Sequence, residues 1–104
     1  MTRVFEFDPE KDAINWQKHG IHLSTAALIF NDPMRIERRD DSEGNTSGEE
    51  RRQTLGKAGK VLFVVYTERG EITRLIMARP ATGQEKRSYY GNDPNNAGSW
   101  TKAD

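Results

Sequence analysis

Lys18 and His19 stand together directly before Gly20, at the end of a segment whose opening, Asp8-Pro9, reads as a helix start. An ammonium and an imidazole offered from one helix end suit a phosphate: the first neutralises charge, the second holds or gives a proton. The same pair also reads as plain complementation of the helix dipole, which favours cations at a C-terminus. Further along, Arg51, Arg69, Arg74 and Arg79 punctuate strand-like segments. Arg74 lies between Ile72 and Ile76, where a guanidinium must be paired or face an anion, because burying it alone costs several kcal/mol. Its candidate partners are Glu50, Glu68 and Glu85. Arg69, Arg79 and Lys86 or Arg87 are better placed to meet solvent. With Tyr89 and Tyr90 they would form an anion surface with aromatic faces for stacking RNA bases. One Tyr of such an adjacent pair is expected to pack inward.

These residues need a frame, and turn and cap chemistry supplies it. Val4 to Phe7 reads as a short strand. Asp8 caps the following helix, Pro9 fits its first position, and Gly20 supplies the left-handed residue that stops it. Ser24 is a plausible cap for a second short helix, Thr25 to Phe30, which Asn31-Asp32-Pro33 ends. Met34 to Arg39 alternates weakly, as an edge strand does. Asp40 to Gly48 is polar and rich in Gly and Ser, which reads as a mobile connection. Glu49 to Ala58, Lys60 to Glu68 and Glu71 to Arg79 read as an antiparallel meander turning at Arg69-Gly70. Its middle run, Val61 to Tyr66, is apolar on both faces and so belongs to a central, doubly covered strand. Thr82 opens a last helix, with Glu85 completing a capping box. The order β-α-α-β-β-β-β-α gives an α+β domain with helices packed on an antiparallel sheet. Residues 92–104 hold turn residues and a single large apolar side chain, Trp100. They read as a flexible tail behind one domain, 1–91, and Trp100 either docks on that domain or marks a partner contact.

Composition narrows the functions. At 104 residues, 34% hydrophobic and 31% charged, the chain supports one thin core and no large enclosed cavity. Zero cysteines exclude disulfides, thiolate metal sites and a Cys nucleophile. With only His19 and His22, a metal is not expected, and no cofactor is implied. No apolar run approaches a membrane span and the first residues lack a signal peptide, so a cytoplasmic location is expected. The net charge of zero hides a split. Residues 1–50 carry 6 Lys/Arg against 11 Asp/Glu, whereas residues 51–104 carry 10 against 5. Either the halves present surfaces of opposite sign or they pair with each other.

The opening segment, Phe5-x-Phe7-Asp8-Pro9-x-Lys11 with Asn15 and Lys18-His19-Gly20, resembles the start of the BrnT family, the toxin half of a bacterial type II toxin-antitoxin pair. Phe30-Asn31-Asp32-Pro33, Glu49-Glu50-Arg51 ahead of Gly56, Val64-Val65-Tyr66-Thr67-x-Arg69 and the run from Arg74 to Glu85 look like further family motifs in the same order, so the resemblance spans residues 4–90. Arg52, where an aromatic or aliphatic residue is expected, and the tail beyond Tyr90 depart from it. The resemblance implies a RelE-like fold, with a four- to five-stranded antiparallel sheet, two N-terminal helices and one C-terminal helix. It also implies a metal-independent ribonuclease that blocks translation. Its expected partner is a BrnA-type ribbon-helix-helix antitoxin in a heterotetramer, with DNA contacted only through the antitoxin. In such cleavage the neighbouring 2′-hydroxyl attacks phosphorus. His19 would then serve as acid or phosphate clamp, Glu85 as a possible base, and Lys18, Arg69 and Arg79 would stabilise charge. Lys11, Arg51, Arg74, Lys86, Tyr89 and Tyr90 would contact the substrate, one of the two tyrosines orienting a base or a proton. Two other readings compete: a non-catalytic nucleic-acid binder driven by the basic half, and a protein-interaction module whose edge at Met34 to Arg39 accepts a partner segment.

Overall fold

The structure, a computed structural model, describes residues 3–40, 50–93, 95–96 and 98–103. The connection expected over 40–48 therefore lies outside the described residues except for Asp40. In chain order the elements are β1 (Val4–Glu6), α1 (Pro9–His19), α2 (Leu23–Ala26) running into a 3-10 turn at Ala27–Asn31, β2 (Ile36–Arg39), β3 (Arg51–Ala58), β4 (Lys60–Arg69), β5 (Ile72–Pro80), α3 (Gly83–Tyr89) and β6 (Thr101–Lys102).

The strands form one six-stranded sheet in the order β1-β5-β4-β3-β2-β6. The expected four- to five-stranded antiparallel sheet is corrected on two counts. β1 runs parallel to β5, pairing Val4 with Ile72 and Glu6 with Arg74, so the sheet is mixed. The tail adds a sixth strand, β6, antiparallel to β2. The meander β3-β4-β5 is antiparallel throughout, with one irregularity where Val65 pairs Met77 but Tyr66 pairs Leu75, leaving Ile76 as the extra residue of a bulge.

β4 alternates its side chains between two cores. Leu62, Val64 and Tyr66 pack with Ile21, Leu23, Ala26 and Ile29 under the N-terminal helices. Val61, Phe63 and Val65 pack with Leu55, Ala81, Tyr89 and Trp100 on the side of α3. A strand apolar on both faces is what two covered faces demand. On the first side the helical turn comes so close to β3 that a Cβ at Gly56 would lie 2.7 Å from Ile29 Cβ.

α1 is fixed in an unusual way. Its ends follow the sequence: Asp8 accepts from the Glu10 amide at 2.9 Å, and Gly20 takes φ 67°. Its inward face, however, is polar. Asn15, 4% exposed, donates to Ile21 O at 2.8 Å and accepts from the Ala78 amide at 3.0 Å. β1 is only three residues long, so β5 beyond Arg74 has no strand beside it there, and Asn15 supplies the hydrogen-bond partner a strand would offer. Ile14 and Trp16 are left half-exposed. α2 starts one residue before the expected Ser24 cap: Asp12 Oδ1 takes the Leu23 amide at 2.7 Å, so the cap comes from α1. α3 carries the expected Thr82-Glu85 capping box.

The segment expected as a flexible tail is packed over residues 98–103. Trp100 is buried, β6 pairs with Ile36 and Glu37, and the Ala103 amide donates to Arg35 O at 2.9 Å. The edge of β2 expected to receive a partner segment is thereby taken by the chain itself. No helix among the described residues is long and apolar enough to cross a membrane.

Candidate functional site

Strand register decides which arginines share a surface. Phe63, Val65 and Thr67 face the α3 side, and residues paired across from them face the same way. Arg79 stands opposite Phe63, Met77 and Gln53 opposite Val65, and Arg74 and Arg51 opposite Thr67; Arg38 follows opposite Gln53. Arg38, Arg51, Arg74 and Arg79 therefore lie on one face. Arg69 pairs with Ile72, six residues along β4 from Phe63. At ~3.3 Å per residue that separates it from Arg79 by about 20 Å, too far to act on the same phosphate.

Arg79 is the most constrained of the set. Its guanidinium lies 3.9 Å over the Phe63 ring, and both Nη atoms fork onto Glu85, at 2.9 and 3.0 Å. Glu85 also accepts the Thr82 amide at 2.8 Å, closing the cap. Burial pushes the Glu85 carboxyl up, but the Arg79 hydrogen bonds, the Thr82 amide and the Arg79 charge outweigh it and hold the pKa below the usual value. Both Glu85 oxygens are thus engaged by Arg79 and the Thr82 amide, and a carboxyl held low in this way is a weaker base than a free one.

Lys11, Lys18 and His19 come together on the other flank of β5. With Ile14, Asn15, Ile76 and Met77 they line a cavity of about 280 Å³ between α1 and the strand edge. Met77 is the link to Arg79: two residues apart on β5 and on one face, they are ~7 Å apart along the strand. One edge of the sheet thus presents an imidazole, two ammonium groups and an oriented guanidinium.

The other expected site residues fall elsewhere or inward. Arg74 pairs with Glu6 at 3.0 Å, not with Glu50, Glu68 or Glu85, because the parallel β1 brings Glu6 alongside it. Arg51 stays on the shared face with a buried Nε that has no hydrogen-bond partner among the described residues. Tyr89 is buried, and its hydroxyl donates to Asp32 Oδ2 at 2.5 Å. Burial first, then that bond and the Asp32 charge, push the Tyr89 hydroxyl far up, so it joins α3 to the rest of the domain. Tyr90 is half-exposed with Lys57 over its ring at 5.7 Å, and Lys86 is exposed on α3.

Arg38 is not singled out by its sequence context, yet β2 places it on the α3 side opposite Gln53, against Trp100. Its guanidinium lies 4.1 Å over Trp100, which meets Phe63 edge-on at 6.4 Å. Burial lowers its pKa, Glu85 and Asp40 raise it, and Arg79 lowers it again, so these charges share one field. Period-two alternation from Ile36 would have placed Arg38 on the inner face, but four weakly patterned residues give that signal little weight.

The opposite face absorbs Arg52. It donates to Glu37 at 2.9 Å, and Glu37 also accepts the Tyr66 hydroxyl at 2.8 Å. Arg52-Glu37 and Arg74-Glu6 join the basic and acidic halves, so part of the charge split is internal pairing.

Residues 7–85 match the model of the family described as "Ribonuclease toxin, BrnT, of type II toxin-antitoxin system". The chain belongs to the BrnT family. Its fold is similar to that of the Brucella abortus ribonuclease toxin BrnT, whose crystal structure superposes with a TM-score of 0.58 at 19% identity, over 78% of this chain and 99% of that one. No curated protein matches the sequence significantly. The BrnT match covers α1, the β3-β4-β5 meander, Arg79 and Glu85, and stops before the tail that carries Trp100.

Proposed function

We propose that this BrnT-family chain is a metal-independent endoribonuclease that inhibits translation and is neutralised by a BrnA-type ribbon-helix-helix antitoxin. The observation that carries the catalytic part is the convergence on one strand, β5, of the Lys11-Lys18-His19 cavity and the Glu85-oriented Arg79. A phosphodiester bridging them would have its charge taken by Lys18 and Arg79. The 2′-oxygen forms a bond to phosphorus as the bond to the 5′-oxygen breaks, giving a 2′,3′-cyclic phosphate. The 5′-oxygen takes its proton from the His19 imidazolium, and the 2′-hydroxyl proton passes to solvent, since Glu85 is committed to Arg79. Pre-oriented cations around a phosphate whose charge grows in the transition state contribute most of the rate enhancement in such catalysis. Lys11 and Tyr90, on the flanks, would meet the neighbouring nucleotides.

The test is cleavage of an RNA oligonucleotide by purified protein in EDTA. The wild type is expected to yield cyclic-phosphate ends. His19→Ala and Arg79→Ala together should slow it at least ~100-fold, the lower range for loss of acid-base and charge stabilisation. A double variant as fast as wild type overturns the assignment. The antitoxin part is tested separately, by co-purification with a ribbon-helix-helix protein encoded beside this chain.

A further inference from the structure

On the α3 side, Arg38 differs from Arg79 and Arg74 in what holds it. Arg79 is forked onto Glu85, and Arg74 donates one Nη1 bond to Glu6 at 3.0 Å, so each is paired directly with a carboxylate. Arg38 donates its Nε to Gln53 Oε1 at 2.7 Å and its Nη1 to Gly98 O at 2.9 Å, and lies on the Trp100 ring. Two neutral oxygens and an aromatic face orient the guanidinium, and Glu85 and Asp40 act on it through their field without taking up its N–H donors. The tail is shaped for this. Gly98 takes φ 92°, and a Cβ there would collide with Arg38 Nη1. Asn96 Nδ2 holds Trp100 O at 2.8 Å, and β6 pins the segment to β2.

Arg38 and Gly98 are also shared by two cavities. One, about 170 Å³, reaches Thr82, Glu85 and Ser88 beside Arg79, and includes Ser88, whose buried hydroxyl has no hydrogen-bond partner among the described residues. The other, about 670 Å³, opens outward past Arg39, Arg52, Ser99 and Thr101. A cavity larger than the one at Lys18 and His19 thus lies beside the tail.

We propose that the tail segment Gly98–Trp100, which lies outside the family-matched residues, builds an additional phosphate subsite by holding Arg38, so that a single-stranded RNA running past Arg79 places a further phosphate there. The inference rests on the ribonuclease reading and extends it to a residue and a tail segment not otherwise assigned. Arg38 is the binding group. Gly98 and Trp100 are positioning residues.

The test is binding of a short, fluorescently labelled 2′-O-methyl RNA, which lacks the attacking hydroxyl, measured by anisotropy across a salt series. Arg38→Ala is expected to weaken binding about tenfold and to flatten the slope of log K against log salt by ~0.7, the share of one phosphate on a single strand. Gly98→Ala should do the same by pushing the guanidinium aside, and Trp100→Phe, which keeps an aromatic face, should bind close to wild type. Thermal melts identify any variant that has lost its fold, and the judgement then rests on Arg38→Ala. If Arg38→Ala keeps wild-type affinity and slope while Arg79→Ala loses both, the subsite is refuted and the ribonuclease reading stands. If the wild type itself does not bind the oligonucleotide, both fall.

Discussion

Neutralising Glu85 tests the reasoning about the site most directly, because one side chain both orients Arg79 and closes a helix. In Glu85→Gln the amide oxygen still accepts from Thr82, so the capping box survives and the change isolates the Arg79 fork. That fork consists of two charge-assisted hydrogen bonds between side chains 28% and 13% exposed. Hydrogen bonds to charged groups contribute ~1.5–3 kcal/mol, and the exposure of Arg79 argues for the lower part of that range, so the expected loss is about 2 kcal/mol. For a domain of this size that is roughly 10 °C in melting temperature. The pH dependence supplies the sign. The folded carboxyl titrates below its ordinary 4.5, so its contribution is fully present above that value and disappears as pH falls through the lower folded one. Melting followed by circular dichroism from neutral pH into acid should therefore show wild type and variant converging below about pH 4, the unperturbed Glu range. Asp32 and Glu37 are also held low, where hydrogen bonds outweigh the upward push of burial, and acidify both proteins alike, so they cancel in the difference. A gap under ~0.5 kcal/mol at neutral pH, or one that persists undiminished in acid, would refute the account of Glu85 as the residue that holds Arg79.

Asn15→Ala should destabilise the fold by about 3 kcal/mol in urea titrations, since it strands the buried Ala78 amide and Ile21 carbonyl together. Gly56→Ala should cost ~1–3 kcal/mol by the same measurement, because its Cβ would meet Ile29 at 2.7 Å in a packed core.

Local chemistry was legible in the sequence wherever neighbouring residues complete it. Asp8, Pro9 and Gly20 bound α1, and Thr82 with Glu85 opens α3, because a cap needs only residues a few positions away. The central strand was legible because its apolar run is long. What escaped depends on distant partners. The parallel course of β1 is set by which strand it reaches after the helices are in place, and nothing in Val4 to Glu6 encodes that. β6 has two residues, too few for any period, and Trp100 could be located only by finding Phe63 and Arg38 around it. Glu85 was legible as a cap, but its two bonds from Arg79 depend on a strand partner that no local pattern reveals. Arg69 shared a motif with the rest but was carried by β4 to the far end of the sheet.

Sheet edges are where folded proteins recruit unwanted neighbours, since unpaired amides are templates for another chain. Here Asn15 occupies the Ala78 amide on the open part of β5, β6 covers β2, and β1 exposes only three residues. The asparagine that anchors the helix is therefore also a guard against polymerisation: a chain in which α1 lifts away offers β5 as a docking strand, and solubility, rather than secondary structure, is what such a variant loses first.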